Sequence, residues 1–421
     1  MPIILGCIAD DFTGATDLAN TLVKQGMPTI QLIGTPKSAI DLGDAEAVVI
    51  ALKSRTIQTN DAIAESLEAI DWLQSQGAKQ YFFKYCSTFD STDEGNIGPV
   101  ADALLDKLDS DFTIACPAFP TNGRTIYKGN LFVGDELLSE SGMRNHPLTP
   151  MTDSNLVRVL ARQTPRKVGL VEHGTVGQGA DAISDAYKEL RDDGVRHAIV
   201  DAIDDPDLLA IGTASTDLAL ITGGSGIALG LPDNYRAAGL LGDAIPPHLP
   251  AQSGAEAILA GSCSIRTREQ VAAWKEKFPA LQIDPHAVMQ NKPVADEALD
   301  WATPHLGKKP FLIYSSDDPA AVTALQEQYG GMEVGEKLED TLGQIASKLV
   351  AKGVDRLIAA GGETSGAVVN ALHVDALRIG PEISPGVPWT ETIGTTSIAL
   401  ALKSGNFGEV DFFDQALEML R

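Results

Sequence analysis

Short β-rich apolar runs alternate with helical patterns along this whole chain, which restricts it to parallel strands joined by crossover helices. The runs cover residues 3–9, 47–52, 81–85, 112–116, 167–171, 197–201 and 218–222. The stretch AIPPHLPAQSG, residues 244–254, then breaks the pattern, because its prolines and terminal Ser-Gly suit neither a helix nor a central strand. Alternation resumes at 257–261, 311–315 and 356–360, which precede the helix-like TREQVAAWKEKF, PAAVTALQEQY and AVVNAL. The expected fold class is α/β: two α/β domains, residues 1–243 and 255–421, with mostly parallel sheets and an interdomain cleft. Within the second domain LRIGPEISPGVPWTETI, with its Ser384-Pro385-Gly386 turn, reads as an antiparallel hairpin.

Charge and cysteine usage narrow the function classes. Fifty-seven acidic against 32 basic residues give a formal charge of −25, which disfavours nucleic acid or an anionic membrane as partner and requires a local basic pocket for any anionic substrate. No stretch approaches the ~20 apolar residues of a membrane span. The start, MPIILGCIADD, lacks a basic region and soon meets two aspartates, so it reads as a buried first strand rather than a signal peptide. Cys7, Cys86, Cys116 and Cys263 are far apart and form no CxxC pair, which points to reduced thiols in a cytoplasm.

Five segments gather the residue types that carry chemistry. IADDFTGATDLAN, residues 8–20, sets Asp10 and Asp11 at a strand end, with Thr13-Gly14 and a helix beginning near Ala15. Ligands of open α/β sheets bind at that end, where carboxylates meet the unpaired N–H groups of a helix start. One aspartate would serve as a helix cap; two adjacent ones exceed that need. ALKSRT (51–56) and FFKYCSTFDSTDEGN (82–96) each place a lysine, Lys53 or Lys84, directly after an apolar strand. Ser54, Arg55, Ser87, Thr88, Ser91, Thr92 and Asn96 surround them, a set suited to a ligand with a carboxylate and several alcohols. ACPAFPTNGRTIYKGNLFVG adds Arg124 on a long loop, and GMRNHPLTPM adds Arg144 and His146, the histidine better suited to structure than to catalysis.

Two glycine-rich turns follow strands, TGGSG at 222–226 and AAGGETSG at 359–366. The second opens a helix, so its N–H groups can cradle phosphates, although tight turns also use glycine for geometry alone. No GxxxxGK[ST], HExxH or GxSxG occurs, so P-loop, zinc-protease and α/β-hydrolase readings find no support. Gly177-x-Gly179-x-x-Ala182, with Asp201 about twenty residues on, loosely matches a dinucleotide fingerprint, but its first glycine lies past the βα turn.

IADDFTGATDLAN, the Lys-Ser-Arg after the second apolar run, and AAGGETSGAVVNAL together resemble the four-carbon acid sugar kinase family across nearly the whole chain. FKYCSTFDSTDEGNIGPVADAL, GMRNHPLTPMTD and LALKSGNFG are similar to its branch acting on 3-oxo-tetronate. The resemblance implies a sugar-acid-binding N-terminal domain, an ATP-binding C-terminal domain, and transfer of the γ-phosphoryl of MgATP to the 4-hydroxyl. Asp10 or Asp11 would be the base, and strand alternation suggests that one of them faces the ligand. Lys53, Ser54, Arg55, Lys84, Ser87, Thr88, Asn96 and Arg124 would bind the sugar acid. Nucleotide contacts are implied at Ser262, Ser264, Gly361, Gly362, Glu363, Thr364 and Gly405, while Mg2+ is implied by ATP chemistry without a recognisable ligand set. Many relatives carry arginine before the Gly-Asn of the substrate loop, whereas Glu94 precedes Gly95-Asn96 here. Competing readings are a threonate or erythronate kinase of the same family, a nicotinamide-dependent dehydrogenase, and a sugar-acid sensor without turnover. The expected partners are the small-molecule acid and ATP, with no nucleic acid or membrane; a homo-oligomer is compatible with the sequence.

Overall fold

The computed structural model of the chain describes residues 3–146, 148–244, 246–249, 252–316, 325, 327–394 and 397–420. Contacts divide it into two compact units, Met1–Pro246 and Pro247–Arg421. Both are α/β with largely parallel sheets, as the alternation predicts.

In the first unit the strands are β1 (Leu5–Ala9), β2 (Thr29–Ile33), β3 (Ala47–Ala51), β4 (Gln80–Lys84), β5 (Thr113–Cys116), β6 (Arg124–Tyr127), β7 (Asn130–Val133), β8 (Glu136–Leu137), β9 (Lys167–Val171), β10 (Val195–Val200) and β11 (Leu220–Gly223). Eight of them form one parallel sheet in the order β2-β3-β1-β4-β11-β5-β10-β9. The chain leaves β1 toward β2 and β3 on one side and later reaches β4 on the other, so strand order reverses at β1. A reversal of this kind opens a crevice at the strand's carboxyl end. Polarity hides β2 from an apolar-run reading, because Thr29 and Gln31 are both buried there. Thr16 Oγ1 donates to Gln31 Oε1 at 2.8 Å and Gln31 Nε2 donates to the Phe12 carbonyl at 3.4 Å, which gives both ends of the buried amide a partner. The segment read from sequence as a long loop around Arg124 contains a small antiparallel sheet, β6-β7-β8.

In the second unit β12 (Ala255–Ala260), β13 (Ala280–Gln282), β14 (Phe311–Tyr314), β15 (Val354–Ala360), β16 (Ala376–Ser384), β17 (Val387–Ile393) and β18 (Ala399–Lys403) follow the order β13-β14-β12-β15-β18-β17-β16. β16 and β17 form the expected antiparallel hairpin. Order reverses at β12, which lies between β14 and β15. Trp274, Trp389, Phe412 and Phe413 fill one face of the sheet with the apolar mass of this core. The run PAAVTALQEQY lies mostly outside the described residues.

The two glycine-rich turns part company. At 222–226 glycine serves close packing: a Cβ on Gly223 would lie 2.3 Å from the Cys116 carbonyl oxygen, and one on Gly226 2.5 Å from that of Ala118. At Gly362 a Cβ would meet no heavy atom within 4 Å. Gly223→Ala is therefore expected to lower the unfolding free energy by about 1–3 kcal/mol, the usual range for overpacking. Gly362→Ala should leave it unchanged or raise it by up to about 1 kcal/mol, as alanine favours helix. Urea titrations of both variants check this, and equal losses would contradict the assignment.

Candidate active site

The register of the first sheet gathers one set of polar groups. Ala9 pairs with Ala51 of β3 and with Lys84 of β4, so the residues following these three strands emerge side by side. Asp11 caps the helix Phe12–Lys24, its Oδ1 accepting the Gly14 N–H at 3.0 Å. That helix therefore begins at Phe12, three residues before the expected start, because the aspartate supplies the cap that an orphan N–H needs.

Arg55 lies among carboxylates. Its Nε and Nη2 donate to Asp10 Oδ2 and Oδ1, both at 2.9 Å, in a bidentate pair. The same Nη2 is 2.8 Å from Asp11 Oδ1, and Nη1 is 3.6 Å from Asp90 Oδ2. Asp10 is almost fully buried. Burial raises its carboxyl above the ordinary range, and Arg55 opposes that rise. The carboxylates raise Arg55 despite its own burial, so its charge is fixed. Asp11 keeps 32% of its side-chain surface, which makes it the more accessible of the two acids.

Lys84 is 3% exposed and donates to the Tyr85 carbonyl at 2.8 Å. A Cβ at Gly14 would lie 2.3 Å from Asp11 Oδ1 and 3.0 Å from Lys84 Nζ, so glycine leaves that space open between acid and cation. Thr88 Oγ1 donates to Asp90 Oδ1 at 2.5 Å and lies 2.9 Å from Cys86 Sγ. Burial, with Asp90 adding to it, pushes the Cys86 thiol up to about 11, so it stays protonated near neutrality. Asn96 Nδ2 donates to the Ser54 and Ile57 carbonyls at 2.8 and 3.0 Å and so ties down the loop carrying Arg55.

Not every expected residue joins this group. Lys53 and Glu94 are exposed, and Ser87 is half-buried on the turn before Thr88. Arg124, in β6, turns its Nη1 to the Asn122 carbonyl. His146 Nδ1 accepts the Thr149 N–H at 3.1 Å. Asp201, the acid of the weak dinucleotide pattern, accepts backbone N–H groups from Lys128, Gly129 and His173 at 2.7–2.9 Å. Those bonds leave it a loop anchor. Asp90 was not singled out from sequence, although the hydroxyls flanking it in STFDSTD are the visible signal.

The second unit repeats the arrangement around a cavity of about 380 Å³. Ala260 pairs with Tyr314 and Ala360, and Ala360 with Lys403, which aligns the loops after β14, β12, β15 and β18. Gly261–Cys263, Ser315 and Gly361–Thr364 form the polar wall; Val334, Leu338 and Leu342 form an apolar one. The apolar wall belongs to the helix Gly331–Ala351, which no motif had marked. Ser264 caps the helix Ile265–Lys275, and Gly361 precedes the helix Gly362–Ala371, whose first three residues line the cavity. Such a pocket accommodates a flat apolar ring at one end and phosphates at the other. Glu339 and Glu363 also line it, and burial together with neighbouring acids, Glu363 foremost, raises the Glu339 carboxyl.

Lys403 is 0% exposed beneath this polar wall. Burial, with Arg266 adding to it, lowers its ammonium to about 7.

Comparison with known proteins comes from both halves. Residues 5–231 match the family model described as a sugar-binding N-terminal domain, and residues 257–413 match a nucleotide-binding C-terminal domain. The chain is 58% identical over 423 residues to a curated 3-oxo-tetronate kinase of Cupriavidus necator, covering 99% of this chain and 97% of that one. It is 59% identical to one of Burkholderia multivorans, with the same shares covered. A crystal structure from Haemophilus influenzae is similar at a TM-score of 0.86 and 44% identity, covering 99% of this chain and 100% of that chain. One from Salmonella typhimurium, described as a tRNA synthase, is similar at 0.91 and 41% identity, covering 99% of both.

The lowered Lys403 ammonium has a sign that stability can report. Between pH 7 and 10.5 the unfolded chain holds the proton and the folded chain does not, so stability rises with pH in that window. Below pH 7 both states are protonated and the burial penalty is fully present. Urea titrations from pH 6 to 9.5 should show the wild type gaining stability relative to Lys403→Met as pH rises. A difference that stays constant with pH would contradict the shift.

Proposed function

The chain belongs to the four-carbon acid sugar kinase family, and we infer that it transfers the γ-phosphoryl of ATP to the 4-hydroxyl of 3-oxo-tetronate. The observation that carries this is full-length identity of 56–59% to four curated 3-oxo-tetronate kinases. A formal charge of −25 makes a tRNA substrate a poor fit for the surface. No helix among the described residues is long and apolar enough to cross a membrane; the reading places the enzyme in the cytoplasm, working on small molecules.

The proposed division of labour gives the sugar acid to residues 1–243 and the nucleotide to 255–421. Asp11 is the base: it is the accessible acid, held by the Gly14 N–H and Arg55. The hydroxyl proton passes to Asp11 while the hydroxyl oxygen bonds to the γ-phosphorus and the bond to the β-phosphate oxygen breaks, releasing ADP. Catalysis of this kind depends on positioning and charge more than on covalent chemistry. Asp10 and Asn96 fix Arg55 and its loop, while Lys84, Ser54, Ser87 and Thr88 supply cation and hydroxyls to the substrate, with Lys53 and Arg124 as outlying cations. The nucleotide phosphates meet Ser262, Ser264, Gly361, Gly362, Thr364 and Gly405.

Mg2+ enters this reading with ATP. Among the described residues no group of three or more potential ligands forms a metal cage, which fits an ion held mainly by phosphates and one or two carboxylates. Glu363 and Glu339 are the pocket acids that would hold it, and a cation there relieves their mutual repulsion. Its contribution is to neutralise phosphate charge.

ADP release measured against 3-oxo-tetronate, D-threonate and D-erythronate tests the substrate, with turnover fastest on the oxo acid; turnover confined to the other two would overturn it. Asp11→Asn should lower kcat by about 10² to 10⁴, with ATP affinity unchanged. Near wild-type turnover in that variant would remove Asp11 as the base. Gly362→Val should fold normally, since nothing crowds its Cβ, yet weaken ATP binding about tenfold or more by blocking the phosphates. Calorimetry with ATP reads this directly, and unchanged affinity would move the phosphates elsewhere.

A further inference from the structure

We propose that Lys403 is a positioning residue whose ammonium holds the Ser404–Gly405 turn as an anion-binding nest for the nucleotide phosphates; this rests on the nucleotide reading of the pocket. Lys403 Nζ donates to the Ser404 and Gly405 carbonyls, both at 2.9 Å, and to Thr267 Oγ1 at 3.3 Å. Thr267 Oγ1 donates in turn to the Gly405 carbonyl at 2.7 Å. In a trans peptide the N–H points opposite to the C=O. With both carbonyls turned to Lys403, the Gly405 and Asn406 N–H groups point away from it. Neither N–H has a protein acceptor among the described residues. Two successive open N–H groups form a concavity suited to a phosphate oxygen.

The neighbourhood of the turn supports this. A Cβ on Gly405 would lie 2.4 Å from Ser262 Oγ and 2.8 Å from Ser264 Oγ, so the turn borders both hydroxyls, and Ser262 lines the cavity. The Gly361 N–H donates to the Lys403 carbonyl at 2.7 Å, so this residue also anchors the glycine-rich turn. Three acceptors around Nζ match the three protons of an ammonium. A buried cation is costly where an apolar side chain would fill the same volume, and the orientation of two peptide planes accounts for its presence. Its lowered proton affinity is the expected result of that burial, and a bound phosphate would favour the charged form.

Calorimetry on the full chain tests the idea with ATP and adenosine as separate probes. Lys403→Met should weaken ATP about tenfold or more, the scale of a lost charge-assisted interaction, while adenosine affinity stays unchanged. Thr267→Val, which removes the bridging hydroxyl but keeps the shape, should weaken ATP in the same direction by a smaller factor, and it decides the matter if Lys403→Met fails to fold. Unchanged ATP affinity in a folded variant overturns the proposal, as does equal weakening of ATP and adenosine, which would signal a collapsed pocket. If the wild type bound no ATP at all, the nucleotide reading would fall first and this inference with it.

Discussion

Parallel register at a reversal of strand order is the constraint on which the proposed sites depend. Because β3, β1 and β4 run the same way and end level with one another, three segments distant in sequence deliver Arg55, Asp10 and Lys84 to one place. The second unit does the same with β14, β12, β15 and β18. Antiparallel pairing would send alternate strand ends to opposite edges and scatter these groups. Apolar strand interiors supply the stabilising burial, which leaves their polar ends available for chemistry.

A second regularity is the lysine that closes one strand of each sheet. Lys84 ends β4 and Lys403 ends β18, both are buried, and each donates to the carbonyl of the residue that follows. Burying an ammonium costs several kcal/mol unless dipoles replace its water. Backbone carbonyls at a strand end provide those dipoles just where the sheet's own pairing stops. The outcome in each unit is a lysine nitrogen fixed beneath a loop, set by the main chain rather than by a flexible surface side chain.

Much of this was legible in the sequence because apolar strand cores and glycine turns obey local rules. Asp10-Asp11 and Lys84 could be picked out since they stand at the end of an apolar run, Arg55 since it lies three residues beyond one, and the GGETSG turn since a helix follows it. What local rules miss is satisfaction at a distance. β2 carries Gln31 in its interior, acceptable because Thr16 and the Phe12 carbonyl of the neighbouring helix bond to it. TGGSG and GGETSG look alike, yet one packs against the Cys116–Ala118 backbone and the other opens on a cavity, a distinction set by neighbours more than a hundred residues away. The partners of Arg55 were hidden for the same reason: Asp90 meets it only through tertiary folding.

Electrostatics gives the arrangement its logic for a chain of charge −25 that handles anions. In the first unit three acids, Asp10, Asp11 and Asp90, surround Arg55, so that arginine can add little net attraction for a second anion. Attraction must then come from Lys84, from hydroxyls and from the N–H groups at the start of the helix Phe12–Lys24. In the second unit the acids Glu339 and Glu363 line the same cavity as Gly362 and Thr364 at the start of the helix Gly362–Ala371. Backbone N–H groups and short hydroxyls bind phosphate and carboxylate oxygens without adding mobile charge, and they act over a few ångströms rather than across the surface. Selectivity in such a protein is therefore local: the surface repels polyanions at long range, while a small anion that reaches a strand-end pocket finds fixed dipoles already aimed at it.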